Sequence, residues 1–367
     1  MTATPAAAPP RTPGWHRLRV AGLDRLTDDA VAIRLDLPDP LAPAFAHRPG
    51  QHVVVRHRGP RGELRRSYSL CPPPGEPRTL RLVVRRLGPG GFADHATTAL
   101  AAGDTLELST PTGGFALADR PGEHHVMIGG GSGITPLFAM AAHALRTDPH
   151  ARVSLVHAVP TARAALLADE LADLKDAHLR RFTALHVLSR ESRESGLLSG
   201  RIDEERLPGL LTLLGAAPGD PCSFYLCGPW GLVRTARSAL ARWGAEPGRI
   251  HCEFFTADDT PAPAAAPDAR TAGRPITVRL AGRTSAVTMA PGDRVVLDAV
   301  LRARPETPYS CRDGLCGACR ARVVRGAVRM DRHYALGERE VAEGCVLTCR
   351  ARPEPDATGE IALDFDL

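Results

Sequence analysis

Four cysteines near the C-terminus constrain the fold of this chain more than any other feature. They follow the spacing Cys-x4-Cys-x2-Cys-x29-Cys and are Cys311, Cys316, Cys319 and Cys349. A [2Fe-2S] cluster is held by four thiolates with this kind of spacing, three in one loop and one farther along the chain. Zinc also binds four thiolates, but structural zinc sites usually combine two short cysteine pairs. The spacing therefore predicts an iron–sulfur site, which carries one electron at a time.

The loop that contains the first three cysteines also contains Gly314 and Gly317. Glycine lets the backbone fold tightly around a cluster and direct its amides at sulfur, which tunes the reduction potential. Cys345 is an alternative fourth ligand. We assign that ligand to Cys349 and interpret Cys345 as a buried thiol beside the site.

A chain of 367 residues is long enough for two or three domains, each with its own hydrophobic core. Its nine cysteines are too few for a disulfide framework and are typical of a reducing compartment. Residues 1–14 are rich in Ala, Pro and Thr without the apolar segment of a signal peptide, which predicts a disordered tail. No apolar run approaches the roughly 18 residues of a membrane span. We therefore expect a soluble, cytoplasmic protein that does not bind a membrane.

The formal net charge is +5, and arginine supplies almost all of the positive charge because Lys175 is the only lysine. The basic residues form no block with interleaved aromatic side chains. The sequence therefore does not indicate nucleic-acid binding.

The pattern of apolar residues predicts a multidomain chain that combines α/β and all-β architectures. Residues 15–120 contain short β-branched runs broken by proline and glycine, which predicts an antiparallel β-barrel. Residues 121–256 alternate apolar strands with helices, which predicts a doubly wound parallel α/β sheet. Residues 257–273 are rich in Pro and Ala and are interpreted as a linker. Residues 274–367 carry the four cysteines, and their order of strands and helix fits a β-grasp ferredoxin domain.

The α/β region opens with an apolar strand that runs into the turn Gly129-Gly-Gly-Ser-Gly-Ile-Thr-Pro136. Glycines allow a backbone to approach a pyrophosphate closely, and the free N–H groups at a helix start bind it. The spacing differs from Gly-x-Gly-x-x-Gly, and a tight strand–helix turn without a ligand has the same composition. The turn is therefore a candidate nucleotide site that needs support from other motifs.

The barrel region contributes the tetrapeptide Arg66-Ser-Tyr-Ser69. In a strand, Arg66 and Tyr68 share one face, and the two serines lie on the other. An arginine beside a tyrosine can hold a phosphate while the ring packs on a flat heterocycle. A solvated strand would show the same residues, so the tetrapeptide alone does not identify a site.

Together, these motifs resemble the ferredoxin–NADP reductase superfamily. The resemblance rests on Arg66-x-Tyr68-Ser69, on the glycine-rich turn and on Cys227-Gly-Pro229. The order of flavin barrel, nucleotide domain and C-terminal ferredoxin domain is similar to that of the reductase components of bacterial oxygenases, among them those of the phenylacetyl-coenzyme A epoxidases. The resemblance implies FAD, a [2Fe-2S] cluster and a nicotinamide nucleotide as cofactors.

The resemblance also implies a role for each matching residue. The residues implied at the site of hydride transfer are Ser69, Cys227 and Glu253. The residues implied to bind flavin are Arg66, Tyr68, Ser69, Gly90, Gly91 and Phe92. Those implied to contact the nicotinamide nucleotide are Gly130, Gly131, Gly133, Thr135, Gly228 and Pro229. Phe255 is implied to cover the flavin beside the nicotinamide. The superfamily usually has Ser or Thr where this chain has Ala93, which removes one hydrogen bond to the flavin pyrophosphate.

Two adjacent residues favour NADPH over NADH. Ser189 and Arg190 follow the third strand of the α/β region, where the superfamily recognises the 2′-phosphate of NADPH. A hydroxyl and a guanidinium suit that dianion, and no acidic residue occupies the immediate position to favour a free hydroxyl. Arg190 is also one solvated arginine among many, so NADH stays an alternative.

The resemblance implies an oxidoreductase that passes electrons from NADPH through FAD and the cluster to an oxygenase. A phenylacetyl-coenzyme A epoxidase-type di-iron enzyme is the expected acceptor, and a cytochrome P450 or a Rieske oxygenase is the alternative. A stand-alone diaphorase or flavin reductase would leave the ferredoxin domain without a purpose. A redox-sensing interaction protein would not need intact flavin and nucleotide motifs.

Overall fold

The computed structural model of the protein describes residues 14–59, 62–72, 79–256, 266–355, 357 and 359–366. These residues divide between two compact units, one spanning His16–Pro261 and a second that contains Ala262–Leu367. The predicted N-terminal tail, apart from Gly14, and the first nine residues of the predicted linker lie outside the described residues. Near the end of the predicted linker, Ala269–Thr271 forms a short 3-10 helix.

The first unit begins with a curled antiparallel sheet. Its strands are β1 (Trp15–Thr27), β2 (Ala30–Leu35), β3 (His52–Gly59), β4 (Gly62–Ser69), β5 (Leu80–Arg85) and β6 (Thr105–Ser109), in the order β4-β3-β6-β1-β2-β5. The two outer strands approach each other where Leu70 forms a bridge with Leu82 and the amide of Cys71 donates to the carbonyl of Arg81. The sheet thus closes into the predicted barrel, and helix α1 (Phe92–Thr98) connects β5 to β6.

Alternation of apolar and polar residues builds the barrel core. In β1, for example, Leu18 and Val20 are buried while Arg19 between them is exposed, which is the period of a half-buried strand. Val53 and Val55 in β3 pack into the same core, as does Phe92 in α1.

The second part of the first unit is an all-parallel sheet. Its strands are β7 (His124–Gly130), β8 (Arg152–Val159), β9 (Phe182–Leu188), β10 (Cys222–Pro229) and β11 (Ile250–Thr256), in the order β11-β10-β7-β8-β9. The connecting helices are α2 (Ile134–Thr147), α3 (Ala168–Ala177), α4 (Leu207–Leu213) and α5 (Trp230–Trp243). The strand order reverses beside β7, so the sheet has the predicted doubly wound topology.

Two helices of this sheet differ from the sequence expectation. The sequence predicts a helix from Ala164, but α3 begins only at Ala168, because Leu167 has a left-handed backbone with φ of 58°. Helix α4 is not predicted at all, since its Pro208-Gly209 pair is typical of a turn. The exposed Lys175 lies in the last turn of α3.

The second unit is a mixed sheet that wraps around one helix. The strands of this sheet are β12 (Pro275–Leu280), β13 (Arg283–Thr288), β14 (Arg320–Arg325), β16 (Cys345–Leu347) and β18 (Ile361–Asp364), in the order β13-β12-β18-β14-β16. Strands β15 (Val328–Met330) and β17 (Ala351–Pro353) form a separate pair, and the helices are α6 (Val296–Ala303) and α7 (Glu338–Ala342). The apolar face of α6 packs on this sheet, which confirms the predicted β-grasp architecture.

Among the described residues, no helix combines the length and the apolar character needed to cross a membrane.

Candidate functional site

Strand pairing places the Arg66-Ser-Tyr-Ser69 tetrapeptide at the end of β4. Ser69 pairs with His52 of β3, and Tyr68 pairs with Val53, so neighbouring residues of the tetrapeptide face opposite sides of the sheet. The Tyr68 ring lies edge-on to Phe92, with ring centroids 5.5 Å apart. Phe92 is the first residue of α1, and Gly91 precedes that helix in an extended conformation. The pairing therefore brings the predicted flavin-binding residues of β4 and α1 together.

The three residues predicted at the hydride-transfer site converge on a histidine that sequence reasoning missed. Cys227 and Glu253 are paired across β10 and β11, and the Cys227 thiol points at the Glu253 carboxylate across 4.0 Å. The other carboxylate oxygen lies 3.5 Å from Nδ1 of His52. Since Ser69 is the strand partner of His52, one cluster joins the barrel to the parallel sheet.

Several buried polar atoms at this junction have no hydrogen-bond partner among the described residues. They are Nε2 of His52 and the hydroxyls of Ser67 and Ser69. Buried polar groups in native proteins are nearly always paired, so a ligand that offers polar atoms fits here. Flavin has ring nitrogens and carbonyl oxygens with which these groups could form hydrogen bonds, and the residues present therefore fit an FAD.

His52 is held tightly in this position. Its side chain is 3% exposed, and its backbone forms two hydrogen bonds with Thr112. A Cβ on Gly113 would lie 2.9 Å from Nδ1 of the ring, so only glycine leaves room for the imidazole. In the sequence His52 is one histidine in a β-branched strand. Its place at the candidate site becomes visible only when β3 pairs with β4 and the His52 ring contacts Glu253 of β11.

The glycine-rich turn packs directly on the strand end that carries Cys227. A Cβ on Gly130 would lie 2.7 Å from Leu232 and 2.8 Å from Pro229, and a Cβ on Gly228 would lie 2.9 Å from the Gly130 backbone. A Cβ on Gly133 would collide with the carbonyl of Cys227. The glycines thus allow the Cys227-Gly-Pro229 segment and the turn to form one surface of bare backbone.

The start of α2 continues this surface. The Thr135 side chain is buried, and its hydroxyl donates to the carbonyl of Ser132 within the turn. Phe255 in β11 is half-buried and packs against the core of the parallel sheet. Ser189 and Arg190 are exposed just beyond β9, where their amides donate to Val159 and Pro160.

A second residue missed by sequence reasoning is Arg85 at the end of β5. Its Nη1 would lie 3.7 Å from a Cβ on Gly131, and its Nε donates to Asp29 across 2.8 Å. The barrel therefore presents a guanidinium to the glycine-rich turn of the parallel sheet. A charged pair of arginines, Arg85-Arg86, is visible in the sequence, but its proximity to the turn depends on how the two sheets pack.

Burial keeps Cys227 in its thiol form. Burial raises the pKa of Cys227 well above its ordinary value, and the nearby Glu253 carboxylate raises it further. A thiol with a raised pKa stays protonated throughout the neutral range. Cys227 is therefore suited to donate a weak hydrogen bond and to pack against its neighbours, and not to act as a thiolate nucleophile.

The cysteine loop of the second unit directs backbone amides at sulfur. The amides of Asp313 and Leu315 both lie 3.4 Å from the Cys311 sulfur. Gly314 and Gly317 have φ of 75° and 68°, the left-handed region that lets the loop turn back on itself. This is the amide arrangement that the sequence predicts for a cluster loop.

The four predicted cluster ligands form two contacting pairs. The hydrogen bond with Cys316 lowers the pKa of Cys311 to about 6, with the loop amides acting in the same direction and burial opposing them. The hydrogen bond with Cys349 likewise lowers the pKa of Cys319. The same two hydrogen bonds raise the pKa of each partner thiol, Cys316 and Cys349, well above its ordinary value. Four thiols gathered in two contacting pairs, with loop amides directed at one sulfur, are a donor set that fits a [2Fe-2S] cluster. Cys345 is buried in the same small core but is not part of either pair.

Three family models match the chain in succession. They describe an oxidoreductase FAD-binding domain over residues 17–117, an oxidoreductase NAD-binding domain over residues 127–238 and a 2Fe-2S iron-sulfur cluster binding domain over residues 278–354. The predicted FAD, nicotinamide nucleotide and [2Fe-2S] cofactors are thereby confirmed, while the choice between NADPH and NADH is not decided.

Curated proteins and solved structures resemble the chain over nearly its whole length. It is 36% identical to a subunit of the 1,2-phenylacetyl-CoA epoxidase from Escherichia coli, over 96% of this chain and 98% of that protein. It is 30% identical to the ferredoxin reductase component of 3-ketosteroid-9-alpha-monooxygenase from Rhodococcus rhodochrous, over 92% and 94%. The structure of phthalate dioxygenase reductase matches with a TM-score of 0.58 and 25% identity, over 96% and 98%. The chain therefore belongs to the ferredoxin–NADP reductase family, among the oxidoreductases that carry a C-terminal 2Fe-2S domain.

Proposed function

We propose that the protein is the reductase component of a multicomponent oxygenase, and that its acceptor is a di-iron enzyme of the phenylacetyl-CoA epoxidase type. The full-length identity of 36% to a component of that epoxidase carries this proposal. FAD, when bound, accepts a nicotinamide hydride as an electron pair and releases single electrons to a [2Fe-2S] cluster. The chain's own residues position these groups.

Arg66 and Tyr68 hold the flavin phosphate and the ribityl chain or ring in this proposal. The backbone of Gly90, Gly91 and Phe92 would face the flavin pyrophosphate, and the Ser69 hydroxyl, which has no partner among the described residues, would donate a hydrogen bond to the flavin ring. The support is the convergence of β4 with α1 and the unpartnered Ser69 hydroxyl.

His52 and Glu253 act on the same edge of the flavin. One oxygen of the Glu253 carboxylate accepts from the Cys227 thiol and the other faces Nδ1 of His52 across 3.5 Å, so the carboxylate orients both side chains. Nε2 of His52, which has no partner among the described residues, stays available for a hydrogen bond with the flavin. Phe255 covers the side of the flavin to which the nicotinamide binds.

The nucleotide phosphates bind at the junction of the glycine-rich turn and the barrel. The backbone of Gly130, Gly131 and Gly133 offers N–H groups at the start of α2. Arg85 supplies a cation from the opposite side. Gly228, Pro229 and Thr135 line the path from the phosphates to the nicotinamide.

We further propose that the nucleotide is NADPH and that the protein works in the cytoplasm. The exposed Ser189 and Arg190 at the end of β9 can bind a 2′-phosphate, since a guanidinium and a hydroxyl form charge-assisted hydrogen bonds with a dianion. None of the nine cysteines, all of which lie among the described residues, forms a disulfide, which suits a reducing compartment.

The decisive experiment compares two cysteine variants. Cys316→Ser removes a proposed cluster ligand, whereas Cys345→Ser removes a buried thiol from the same core. We expect Cys316→Ser to lose NADPH-dependent cytochrome c reduction by at least about 100-fold and to keep ferricyanide reduction, because flavin reduces ferricyanide directly. Cys345→Ser should keep both.

Equal loss of both activities in Cys316→Ser, with FAD still bound, would contradict the proposed order of carriers. The acceptor is tested by supplying the protein to purified di-iron epoxidase, Rieske oxygenase and cytochrome P450 components. Turnover by the Rieske or P450 component but not by the epoxidase would replace the proposed partner.

A further inference from the structure

We propose that His157 is a positioning residue of the nucleotide site: it holds the Gly131 peptide so that the amides of the glycine-rich turn face the bound pyrophosphate. Neither the motifs nor the family match assigns this residue a role. The proposal rests on nucleotide binding at the turn described above.

His157 touches the turn through one hydrogen bond. It lies in β8, is 0% exposed, and its Nε2 is 2.9 Å from the carbonyl oxygen of Gly131. A carbonyl only accepts, so Nε2 carries the hydrogen and donates it. Because His157 is fully buried, this bond directs the Gly131 carbonyl towards the interior of the protein.

Gly131 needs such a restraint more than any other residue of the turn. Its φ is 53°, in the left-handed region, and it has no Cβ to limit rotation of its peptide. The turn Gly131–Gly133 leads directly into α2 at Ile134. Rotation of the Gly131 carbonyl towards the nucleotide would place a partial negative charge beside a pyrophosphate, so an external donor that fixes it favours anion binding.

The surroundings keep the imidazole neutral and in one tautomer. Its Nδ1 has no hydrogen-bond partner among the described residues, so a second ring hydrogen would be buried without an acceptor. Burial, chiefly, lowers the pKa of His157 to about 3. Arg85 of β5 and His186 of β9 both oppose a positive charge on the ring. The ring therefore donates to Gly131 at every pH at which the enzyme works.

His186 provides a matched control because it is the strand neighbour of His157. The two residues pair across β8 and β9, with ring centroids 5.5 Å apart, and the turn hydrogen bond comes from His157. A substitution at His186 thus disturbs the same layer of the sheet without removing the donor to Gly131.

The test measures binding of NADP⁺ to flavin-loaded protein by calorimetry for four variants. His157→Phe keeps a ring but has no donor, His157→Asn is too short to reach the carbonyl, and His157→Gln can place its amide near the position of Nε2. We expect NADP⁺ to bind about 10-fold more weakly to His157→Phe and His157→Asn, which corresponds to about 1.4 kcal/mol for one hydrogen bond. His157→Gln should stay within about threefold of the wild type, and so should His186→Phe.

A second ligand separates positioning of the turn from general damage. Adenosine 2′-monophosphate has no pyrophosphate, so its affinity should be unchanged in all four variants. If His157→Phe does not fold, the NADP⁺ affinities of His157→Asn and His157→Gln are compared instead, since only the second retains a donor for Gly131. Unchanged NADP⁺ affinity in the donor-less variants, or equal weakening by His186→Phe, would overturn the proposal. Failure of the wild type to bind NADP⁺ would instead contradict the proposed cofactor.

Discussion

Arg190 is the residue on which the proposed choice of nucleotide depends. It is exposed beside Ser189 at the carboxyl end of β9, and its amide donates to the carbonyl of Pro160, so the backbone fixes its position while the side chain faces solvent. A hydrogen bond to a charged group is worth about 1.5–3 kcal/mol. Loss of the bond between Arg190 and the 2′-phosphate should therefore weaken the binding of NADPH and leave the binding of NADH unchanged.

We expect Arg190→Ala to raise the KM for NADPH by about 10-fold or more, because the 2′-phosphate loses its guanidinium. The KM for NADH should change by less than about twofold. Arg193→Ala, an exposed arginine three residues along the same loop, is the control. Steady-state kinetics with both nucleotides measure these values, and a parallel rise of both KM values would show that Arg190 does not read the 2′-phosphate.

At the level of single residues, the sequence predicts those site residues that belong to short, recognisable motifs. Ser69 and Cys227 belong to two motifs, and the family resemblance implies Glu253 in a third segment; the structure brings these residues to one junction. His52 and Arg85 escape prediction because neither belongs to a motif. Their importance arises from contacts between the barrel and the parallel sheet, which no local pattern encodes.

At the level of elements, one buried ion pair connects strand β5 of the barrel with helix α3 of the parallel sheet. The two terminal nitrogens of Arg81, Nη1 and Nη2, each donate to one carboxylate oxygen of Glu170 at 2.9 Å, and its third nitrogen, Nε, donates to the carbonyl of Cys71. The Arg81 side chain is 7% exposed. The Glu170 side chain is 24% exposed, so the guanidinium is the buried member of the pair. A bidentate pair fixes the orientation of two elements, not only their distance.

We expect Glu170→Gln to destabilise the protein by about 1–3 kcal/mol, because an amide can accept only one of the two hydrogen bonds and leaves a buried N–H unpaired. The melting temperature should fall by roughly 2–10 °C. Asp28→Asn is the matched control, since its pair with Arg163 has side chains that are 94% and 88% exposed and such pairs contribute little. Scanning calorimetry compares the two, and an equal shift in both variants would contradict a special role for the buried pair.

Element type is predicted better than element boundaries. The strands that carry long apolar runs, such as β7 and β9, follow from the sequence, whereas α4 does not because its Pro-Gly pair resembles a turn. The thirteen-residue β1 is also missed, since its buried residues Leu18, Val20 and Gly22 alternate with Arg19 and Ala21 and form no continuous apolar run. Tertiary packing decides both cases.

At the level of the whole molecule, the two compact units divide the proposed chemistry. The unit His16–Pro261 contains the flavin and nucleotide residues, and the unit that includes Ala262–Leu367 contains all four cluster cysteines. Each has its own hydrophobic core. A linker at residues 257–273 stays a prediction from composition, because a Pro- and Ala-rich segment lacks the large apolar anchors that a core requires.

We expect a fragment of residues 1–261 to bind FAD and to reduce ferricyanide with NADPH at a rate near that of the full chain. It should not reduce cytochrome c, because it lacks the one-electron carrier. A fragment of residues 262–367 should show the visible spectrum of a [2Fe-2S] protein but no NADPH oxidation. Stopped-flow absorbance checks both fragments, and a first fragment that does not retain FAD would mean that the units do not fold independently.

The exposed Lys175 in the last turn of α3 gives the protein a single lysine side chain for site-specific chemical labelling. Arginine does not react with succinimidyl esters, so a reagent of that kind would find one side-chain target and the α-amino group. Tethering through α3 would then present every copy to an electrode in the same orientation, and electron flow out of the immobilised protein would be uniform across the film.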